Sequence, residues 1–217
     1  MQIKPLIKKF EELQKKFWDK NLDAICWAWK INNPDICFVF MNPTWKNIAS
    51  DKNWEWLKAP WLWTKNIWKM FFNLWVLDEK FYLEIKNKKN SDRGYDFSEK
   101  IYKKISDKNF YITNLSKATQ IDARPLPNSV FKNYLELFFE EIKILKPKVI
   151  ITFWWQVSSI VLWKNIKIWD YRKKFEEIEI DDEKFKVFPV FYPVWQWMRN
   201  MWIAKEDIDF IMSDNLK

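Results

Sequence analysis

The sequence predicts an α/β domain of three layers, αβα, in which helices cover both faces of a central, mainly parallel sheet of four strands. Short apolar runs bounded by Pro, Asn and Asp are typical of buried strands, and the segments between them carry apolar residues at helical spacing. The chain has 217 residues, of which 48% are hydrophobic, so it can bury one sizeable core. We therefore expect residues 1–217 to form a single domain.

The first half of the chain predicts two helices and one strand. Residues 1–20 have apolar residues three and four apart and predict an N-terminal helix. The apolar run at 36–41 predicts the first strand, and residues 64–76 predict a helix that Thr64 would cap. The polar stretch 84–100 predicts a loop insertion that does not divide the domain.

The second half alternates strands and helices. Apolar runs predict strands at 110–114, 149–153 and 187–191, and helical spacing predicts helices near 129–145 and 156–163. A charged, hairpin-like segment precedes the last of these strands. Because ligands of open parallel sheets bind outside the carboxyl ends of the strands, we expect the functional site there.

Charge and composition restrict the chemistry. Lys and Arg number 37 against 29 Asp and Glu, a formal charge of +8 that favours phosphate-rich partners such as DNA. The chain has no histidine, which excludes Ser-His-Asp triads, Cys-His nucleophiles and histidine metal sites. Catalysis would have to use carboxylates, amides, hydroxyls or backbone groups.

No apolar run is long enough to span a bilayer, and the first residues form a charged amphipathic pattern rather than an export signal. We therefore expect a soluble, cytoplasmic monomer without membrane contact. In that compartment Cys26 and Cys37 are expected to be reduced.

The balance of glycine and tryptophan is abnormal. The chain has one Gly and 17 Trp, whereas glycine makes up roughly 7% of ordinary proteins. Trp45, Trp75 and the pair Trp154 and Trp155 stand at sharp turns of the predicted chain, which are places that usually need glycine. We hypothesise that the gene is read with UGA as glycine and that the sequence shows those codons as tryptophan.

The alternative to recoding is a natural tryptophan-rich protein. Not every tryptophan is in question, because Trp54, Trp61 and Trp68 are interpreted as genuine and Trp18 fits either residue. With glycine at the other positions, the glycine share of the chain would be close to the usual value.

Polar residues follow three of the predicted strands. Residues 42–44, Asn-Pro-Thr, come after the first strand, Asn114 ends the second, and Tyr192 and Pro193 follow the fourth. Since the carboxyl ends of parallel strands meet at one edge of the sheet, we expect these residues to converge in one cleft.

Two segments at these strand ends resemble motifs of the uracil-DNA glycosylase superfamily. Residues 37–45, CFVFMNPTW, are similar to motif 1, and residues 191–199, FYPVWQWMR, are similar to motif 2. The Met-Asn-Pro form resembles the single-strand-selective and mismatch-specific branches, and the resemblance covers about residues 25–205.

In those branches an Asn of motif 1 positions the hydrolytic water. The resemblance implies this role for Asn42, with Met41 and Pro43 beside it in the substrate site. An amide is not a strong base, so it would orient water towards the sugar as the base leaves. The alternative is that Asn42 only shapes a turn through bonds to nearby backbone.

The resemblance also implies residues that hold the flipped base. Residues 59–63, APWLW, are similar to the segment whose aromatic ring stacks on the base, and Trp61 matches the position of that ring. Residues 111–117, YITNLSK, are similar to the strand whose Asn reads the pyrimidine edge, and Asn114 matches the position of that Asn. Stacking is worth about 1–3 kcal/mol per base and is indifferent to its identity, so hydrogen bonds must select the base. An ordinary core Trp and a strand-end Asn are the alternatives.

DNA contacts are implied for polar residues of the same loops. If Trp154 and Trp155 are glycines, residues 148–155 resemble the third strand and glycine-rich turn of the family, where backbone N–H groups approach a phosphate. The side chains expected to contact DNA are Thr44, Lys46, Lys117, Gln196 and Arg199. Basic residues that are merely solvated are the alternative.

The sequence departs from the family at motif 2. Most relatives have His-Pro, in which the His stabilises the oxygen of the departing base, whereas this chain has Tyr192 and Pro193. Tyr192 could donate a hydrogen bond from its hydroxyl, or it could be an ordinary core tyrosine. Some relatives hold an iron–sulfur cluster with four cysteines, but this chain has two, so we expect no cluster, no metal and no cofactor.

The resemblance thus implies a DNA repair hydrolase that flips uracil, or a related deaminated base, out of DNA and cuts its glycosidic bond. Two alternatives stay open. The first is a noncatalytic nucleic-acid-binding member of the same superfamily, and the second is a nucleoside or nucleotide hydrolase that uses the same cleft.

Overall fold

The computed structural model is an α/β fold with a mostly parallel sheet between two layers of helices. It describes residues 4–18, 21–25, 32–44, 65–89, 94–121, 126–193 and 200–216.

The sheet has five strands in the described part of the chain, in the order β2-β1-β3-β5-β4. Strands β2, β1, β3 and β5 run parallel to one another, and β4 pairs antiparallel with β5 at the edge. The strands are β1 Ile36–Phe40, β2 Phe110–Asn114, β3 Val149–Phe153, β4 Glu176–Ile180 and β5 Glu183–Val190.

Helices connect the strands and cover both faces of the sheet. The described helices are α1 Lys4–Phe17, α2 Lys65–Asn73, α3 Glu79–Asn87, α4 Tyr95–Asp107, α5 Asn128–Leu145, α6 Trp155–Val161 and α7 Met201–Asn215. A short 3-10 helix spans Ile168–Tyr171. The three-layer αβα arrangement expected from the sequence is confirmed at this level.

The core consists of two apolar clusters, one on each face of the sheet. In β1, Ile36, Phe38 and Phe40 belong to the cluster that includes buried residues of α2, α4 and α7. The alternate residues Cys37 and Val39 belong to the cluster that includes α1, α5 and α6. All five residues of β1 are buried, because each face of a central parallel strand is covered by helices.

Two expectations from the sequence are wrong. The sheet has five strands rather than four, because the charged segment before β5 contains β4, which folds back onto β5 through Asp181 and Asp182. The stretch 84–100, expected to be a loop, instead contains the end of α3 and the start of α4. Most of its described charged residues are exposed, while Ile85, Phe97 and Ser98 are buried.

Trp75 occupies the position after α2 that usually belongs to glycine. Its φ of 59° is left-handed. The N–H of Val76 donates to the carbonyl of Phe71 (2.9 Å), and the N–H of Trp75 donates to that of Phe72 (3.0 Å). This pair of bonds defines a Schellman motif, in which glycine is favoured at the left-handed residue because it has no Cβ.

Trp163 ends α6 in the same way. Its φ is 49°, the N–H of Lys164 donates to the carbonyl of Ser159 (3.1 Å), and the N–H of Trp163 donates to that of Ile160 (3.4 Å). Helix ends at two separate places therefore have the hydrogen bonds of a glycine-terminated helix and a tryptophan at the glycine position.

Burial separates these tryptophans from Trp68, which is interpreted from the sequence as genuine. Trp75 is 80% exposed and Trp163 is 65% exposed, although a large aromatic ring gains stability mainly by burial. Trp68 is fully buried and packs edge-on against Tyr102 at 5.8 Å. Gly94, in contrast, has an ordinary φ of −76° that needs no glycine. These observations support the recoding hypothesis at positions 75 and 163 and a genuine tryptophan at 68.

Substitution of Trp75→Gly or Trp163→Gly is expected to raise the free energy of unfolding by about 0.5–1 kcal/mol each, because relief of the left-handed strain outweighs the entropy that glycine adds to the unfolded chain. Urea denaturation followed by circular dichroism measures the change.

The matched control is Trp202→Gly. Trp202 is 67% exposed, like the other two, but it lies within α7, where glycine lowers stability. Equal effects of all three substitutions would contradict the assignment of strain to the left-handed positions.

Candidate functional site

The strand order distinguishes the carboxyl ends of β1 and β3 from the other strand ends. From β1 the chain passes to β2 on one side, and it then crosses back to β3 on the other side of β1. Neighbouring strands whose connections leave in opposite directions form a topological switch point, where open α/β sheets bind their ligands. The loop after β1, which carries Asn42, therefore begins at the switch point.

The strand ends are level with one another. As a result, the loops that follow β1, β2, β3 and β5 start at the same edge of the sheet, as the sequence predicts. The paired residues nearest this edge are Phe40 with Asn114, Val39 with Thr152, and Phe153 with Val190.

The amide of Asn42 is held through its nitrogen. Nδ2 donates to Oε1 of Gln120 (2.7 Å) and to the carbonyl of Pro43 (3.2 Å). Because a carbonyl can only accept, the Pro43 contact fixes which end of the amide is the nitrogen. Oδ1 has no hydrogen-bond partner among the described residues, so it can accept one from a water molecule.

Gln120 contacts the candidate site although no sequence pattern indicates it. It lies six positions beyond the end of β2 and is only 6% exposed. Its side chain accepts from Asn42, while its N–H donates to the carbonyl of Pro43 (3.1 Å) and its backbone forms a bridge with Thr44. No spacing rule connects positions 42 and 120, so only the fold reveals this contact.

The loop after β2 continues to pair with the loop after β1. Besides Gln120, the N–H of Leu115 donates to the carbonyl of Phe40 (2.8 Å), and the N–H of Ser116 donates to that of Met41 (3.0 Å). The backbone around Asn42 is therefore fixed from one side by a neighbouring loop rather than by its own turn alone.

Helix α1 forms hydrogen bonds with the loop that follows β2. Gln14, which is 1% exposed, accepts from the N–H of Thr119 (2.7 Å) and donates to the carbonyl of Thr119 (3.1 Å). The Thr119 hydroxyl donates to the carbonyl of Asp23 (2.7 Å). The N-terminal helix thus contributes indirectly to the position of Gln120.

Asn114 places an unsatisfied amide oxygen at the same edge. The residue is 1% exposed, and its Oδ1 is buried without a hydrogen-bond partner. It pairs with Phe40 across parallel strands, so the two side chains share one face of the sheet. A buried polar atom without a partner costs about 1–3 kcal/mol, which a ligand that donates to it would recover.

A buried ion pair lies beside Asn114. The Lys117 ammonium contacts Glu141 at 2.6 Å, and both side chains are 0% exposed. Lys117 also donates to the Thr113 hydroxyl and to the carbonyl of Asn114, while Tyr111 (2.8 Å) and Thr113 (2.9 Å) donate to Glu141. Every donor of the ammonium therefore has an acceptor, and the network fixes the backbone of Asn114.

This burial corrects the expectation that Lys117 contacts DNA. Its charge is neutralised inside the domain, so no phosphate can reach it. Thr44, expected to contact DNA as well, is only 7% exposed. The sign of a charge in the sequence does not distinguish a buried, paired lysine from a surface lysine.

Tyr192 lies directly after β5. Its ring meets that of Phe40 at 6.2 Å and that of Trp154 at 5.8 Å, both edge to face. Its hydroxyl makes no hydrogen bond to the described residues. Burial raises the pKa of Tyr192 well above its ordinary value, so the phenol is a neutral donor at any physiological pH.

Four of the expected site residues, namely Trp61, Lys46, Gln196 and Arg199, lie outside the described residues, as does Cys26. Cys37 is a free thiol, and burial raises its pKa.

No protein-family model matches the chain, and no curated protein is significantly similar to it in sequence. Within the described ranges, no helix is both long and apolar enough to cross a bilayer. The same residues contain no group of three or more Cys, Asp and Glu side chains placed to hold a metal ion.

Removal of the buried cation is expected to destabilise the fold strongly. Lys117→Met should lower the free energy of unfolding by about 3–5 kcal/mol, because it leaves Glu141 charged and buried without its partner. The double variant Lys117→Met, Glu141→Gln removes both charges and should recover part of the loss. Denaturant unfolding of the three proteins measures both effects.

Lys103→Met serves as the control, because Lys103 pairs with Asp107 while 64% exposed, and surface pairs contribute little. If the double variant were less stable than Lys117→Met, the loss would not come from an uncompensated buried charge.

Proposed function

We propose that the protein is a DNA glycosylase that hydrolyses the N-glycosidic bond of uracil, or a related deaminated base, after the base is flipped out of DNA. The observation that carries the proposal is the buried, unpartnered Oδ1 of Asn114, at the same sheet edge as Asn42. The resemblance of residues 37–45 and 191–199 to the uracil-DNA glycosylase motifs supports it. The reaction needs no cofactor.

Asn42 positions the attacking water. With Nδ2 held by Gln120 and Pro43, its Oδ1 accepts a hydrogen bond from the water and aims a lone pair of that water at the anomeric carbon. The gain comes from orientation, since an amide takes no proton. Gln120 acts as a positioning residue, because it touches Asn42 and not the reacting atoms.

Asn114 reads the base. Uracil presents an N–H between two carbonyl oxygens, and an amide presents an acceptor oxygen beside a donor nitrogen, so one amide can pair with that edge. The unpartnered Oδ1 would accept from the uracil N–H, which removes the cost of leaving this buried atom unsatisfied. A base with an acceptor at that position would leave it unsatisfied.

Tyr192 stabilises the departing base. As the glycosidic bond breaks, negative charge develops on the base oxygens, and a neutral hydroxyl stabilises it by a hydrogen bond. The raised pKa keeps the proton on the phenol. Tyr192 thus donates a hydrogen bond but does not transfer its proton.

The remaining contacts are proposed from the sequence. Trp61 supplies the stacking ring, and Lys46, Gln196 and Arg199 contact the DNA backbone, in keeping with the formal charge of +8. Lys117 contacts no phosphate, because its ammonium is buried and paired with Glu141.

A noncatalytic DNA-binding protein is the second candidate. One observation favours it: Tyr192 stands where most members of the glycosylase superfamily have histidine. A phenol with a raised pKa is a poor proton donor. Such a protein would bind uracil-containing DNA without releasing the base.

The decisive assay uses the chain with glycine at every tryptophan position except 18, 54, 61 and 68, here named the glycine-recoded chain. It is incubated with single- and double-stranded oligonucleotides that contain uracil, followed by alkali. We expect strand cleavage that falls by about 100-fold or more in Asn42→Ala, because the water loses its orientation. Gln120→Ala should give a smaller loss in kcat with little change in KM.

The control is Asn133→Ala, which removes an exposed amide of α5 and should leave cleavage unchanged. DNA that is bound but stays intact would favour the noncatalytic protein. Cleavage that persists in Asn42→Ala would remove Asn42 from the mechanism.

Tyr192 predicts the pH dependence. Because its raised pKa lies above the ordinary value of 10, the hydroxyl is protonated below that pH, and kcat should show no ionisation of this residue between about pH 5 and 9. Tyr192→Phe should lower kcat by about 10²–10³-fold. Tyr192→His should have a higher kcat than Tyr192→Phe, and its kcat should show an inflection near pH 6.5, about the ordinary histidine pKa.

Suppose that kcat of the protein with Tyr192 shows an inflection between about pH 5 and 9 and that Tyr192→Phe abolishes it. The phenol would then titrate in this range, and its pKa would not be raised.

A further inference from the structure

Trp154 has a backbone conformation that tryptophan rarely adopts. Its φ is 83° and its ψ is 139°. This is outside the left-handed helical region open to other residues, and it borders the region that is essentially restricted to glycine. Among the described residues with positive φ, Trp154 has the largest value. Its N–H donates to the carbonyl of Val190 (3.1 Å), so the neighbouring strand holds this conformation.

Residue 154 also lies at the switch point. Val39 of β1 pairs with Thr152 of β3, and continuing this register by two residues sets Met41 level with Trp154. Asn42 follows immediately. The first residue beyond β3 therefore stands beside the loop that holds the proposed water-positioning amide.

The indole of Trp154 lies against Tyr192. The two rings are 5.8 Å apart and meet at 89°. A flat aromatic group thus occupies the space beside the hydroxyl-bearing ring that is proposed to contact the departing base. An indole and a nucleobase are both flat heteroaromatic groups of similar size, so a site that accommodates one has the shape for the other.

We propose that position 154 carries glycine in the functional protein and that the space filled by the Trp154 indole is the pocket for a flat nucleobase. Loss of the side chain relieves the backbone conformation and opens the crevice between β3 and Tyr192 at the same time. The identity of the occupant as a base rests on the proposed glycosylase function. The existence of the pocket rests on the geometry of residues 154 and 192.

Trp163 provides a matched comparison. It also has a positive φ, 49°, at the other end of α6, but its ring contacts Phe139 at 5.1 Å and not Tyr192. Glycine at 163 relieves strain without opening the crevice. An effect on Tyr192 that glycine produces at 154 but not at 163 therefore comes from opening the pocket and not from relief of backbone strain.

The test compares three proteins: the glycine-recoded chain, the same chain retaining Trp154, and the same chain retaining Trp163. Tyr192 is nitrated with tetranitromethane and quantified by peptide mass spectrometry, with nitration of Tyr171 as the reference. Release of uracil from a single-stranded oligonucleotide is measured in parallel. Circular dichroism verifies that each protein is folded.

Tetranitromethane attacks the ionised phenol, and burial raises the pKa of Tyr192. We therefore expect Tyr192 to be protected in the chain retaining Trp154, but nitrated in the recoded chain and in the chain retaining Trp163, where loss of the Trp154 indole relieves that burial and admits the reagent. Uracil release should be lost only where Trp154 is retained. Equal nitration of Tyr192 in all three proteins would overturn the proposal.

If the recoded chain releases no uracil but Tyr192 protection still depends on Trp154, the pocket stands and the glycosylase function fails. If the recoded chain does not fold, Trp154→Gly and Trp163→Gly, each made in the chain that keeps its other tryptophans, give the same comparison of nitration.

Discussion

The parallel pairing of β1 with a strand on each side is the constraint on which the rest of the structure depends. It buries β1 completely, and this burial explains why its five residues are continuously apolar. It also brings the ends of β1, β2 and β3 to one edge, so residues far apart in sequence share a small region. Asn42, Asn114 and Gln120 come together for this reason and not because of any local turn.

Asn42 and Asn114 each have one atom fixed by a hydrogen bond and a side-chain oxygen that can still accept one. Lys117 binds the carbonyl of Asn114, while its Oδ1 has no partner. Gln120 accepts from Nδ2 of Asn42, while Oδ1 of Asn42 has no hydrogen-bond partner among the described residues. A site built in this way loses little entropy when it binds a ligand, because the groups that must be fixed are fixed already. The buried ion pair contributes to this order even though a buried pair adds little net stability.

The strands could be predicted from the sequence where burial is two-sided. β2 and β3 have the predicted bounds, because an uninterrupted apolar run between turn residues has few alternatives. Helices α3, α4 and α7 and strand β4 were not predicted. β4 was missed because one of its faces is exposed and charged, and a strand with few buried residues resembles a loop. In β4 only Ile178 and Ile180 are buried.

The candidate site, like the strands, could be predicted only in part from the sequence. Motif resemblance suggested Asn42, Asn114 and Tyr192 as candidates, and each of them lies at or just after the end of a strand. The roles of Lys117, Gln14 and Gln120 depend on contacts between segments far apart in the chain, which no local pattern records. The left-handed residue at the end of α2 could be anticipated, because helices commonly end in such a conformation whatever side chain the sequence shows.

Strand β4 has a consequence for how the protein behaves at high concentration. It is the last strand of the sheet, and its outer edge carries backbone groups that no other described strand pairs with. Glu177 and Glu179 are exposed along it, and their charges face Lys186 and Lys184 of β5 on the inner side. A second copy that added its own β4 would bring like charges opposite one another. The acidic edge therefore disfavours sheet extension between molecules and protects the fold against aggregation.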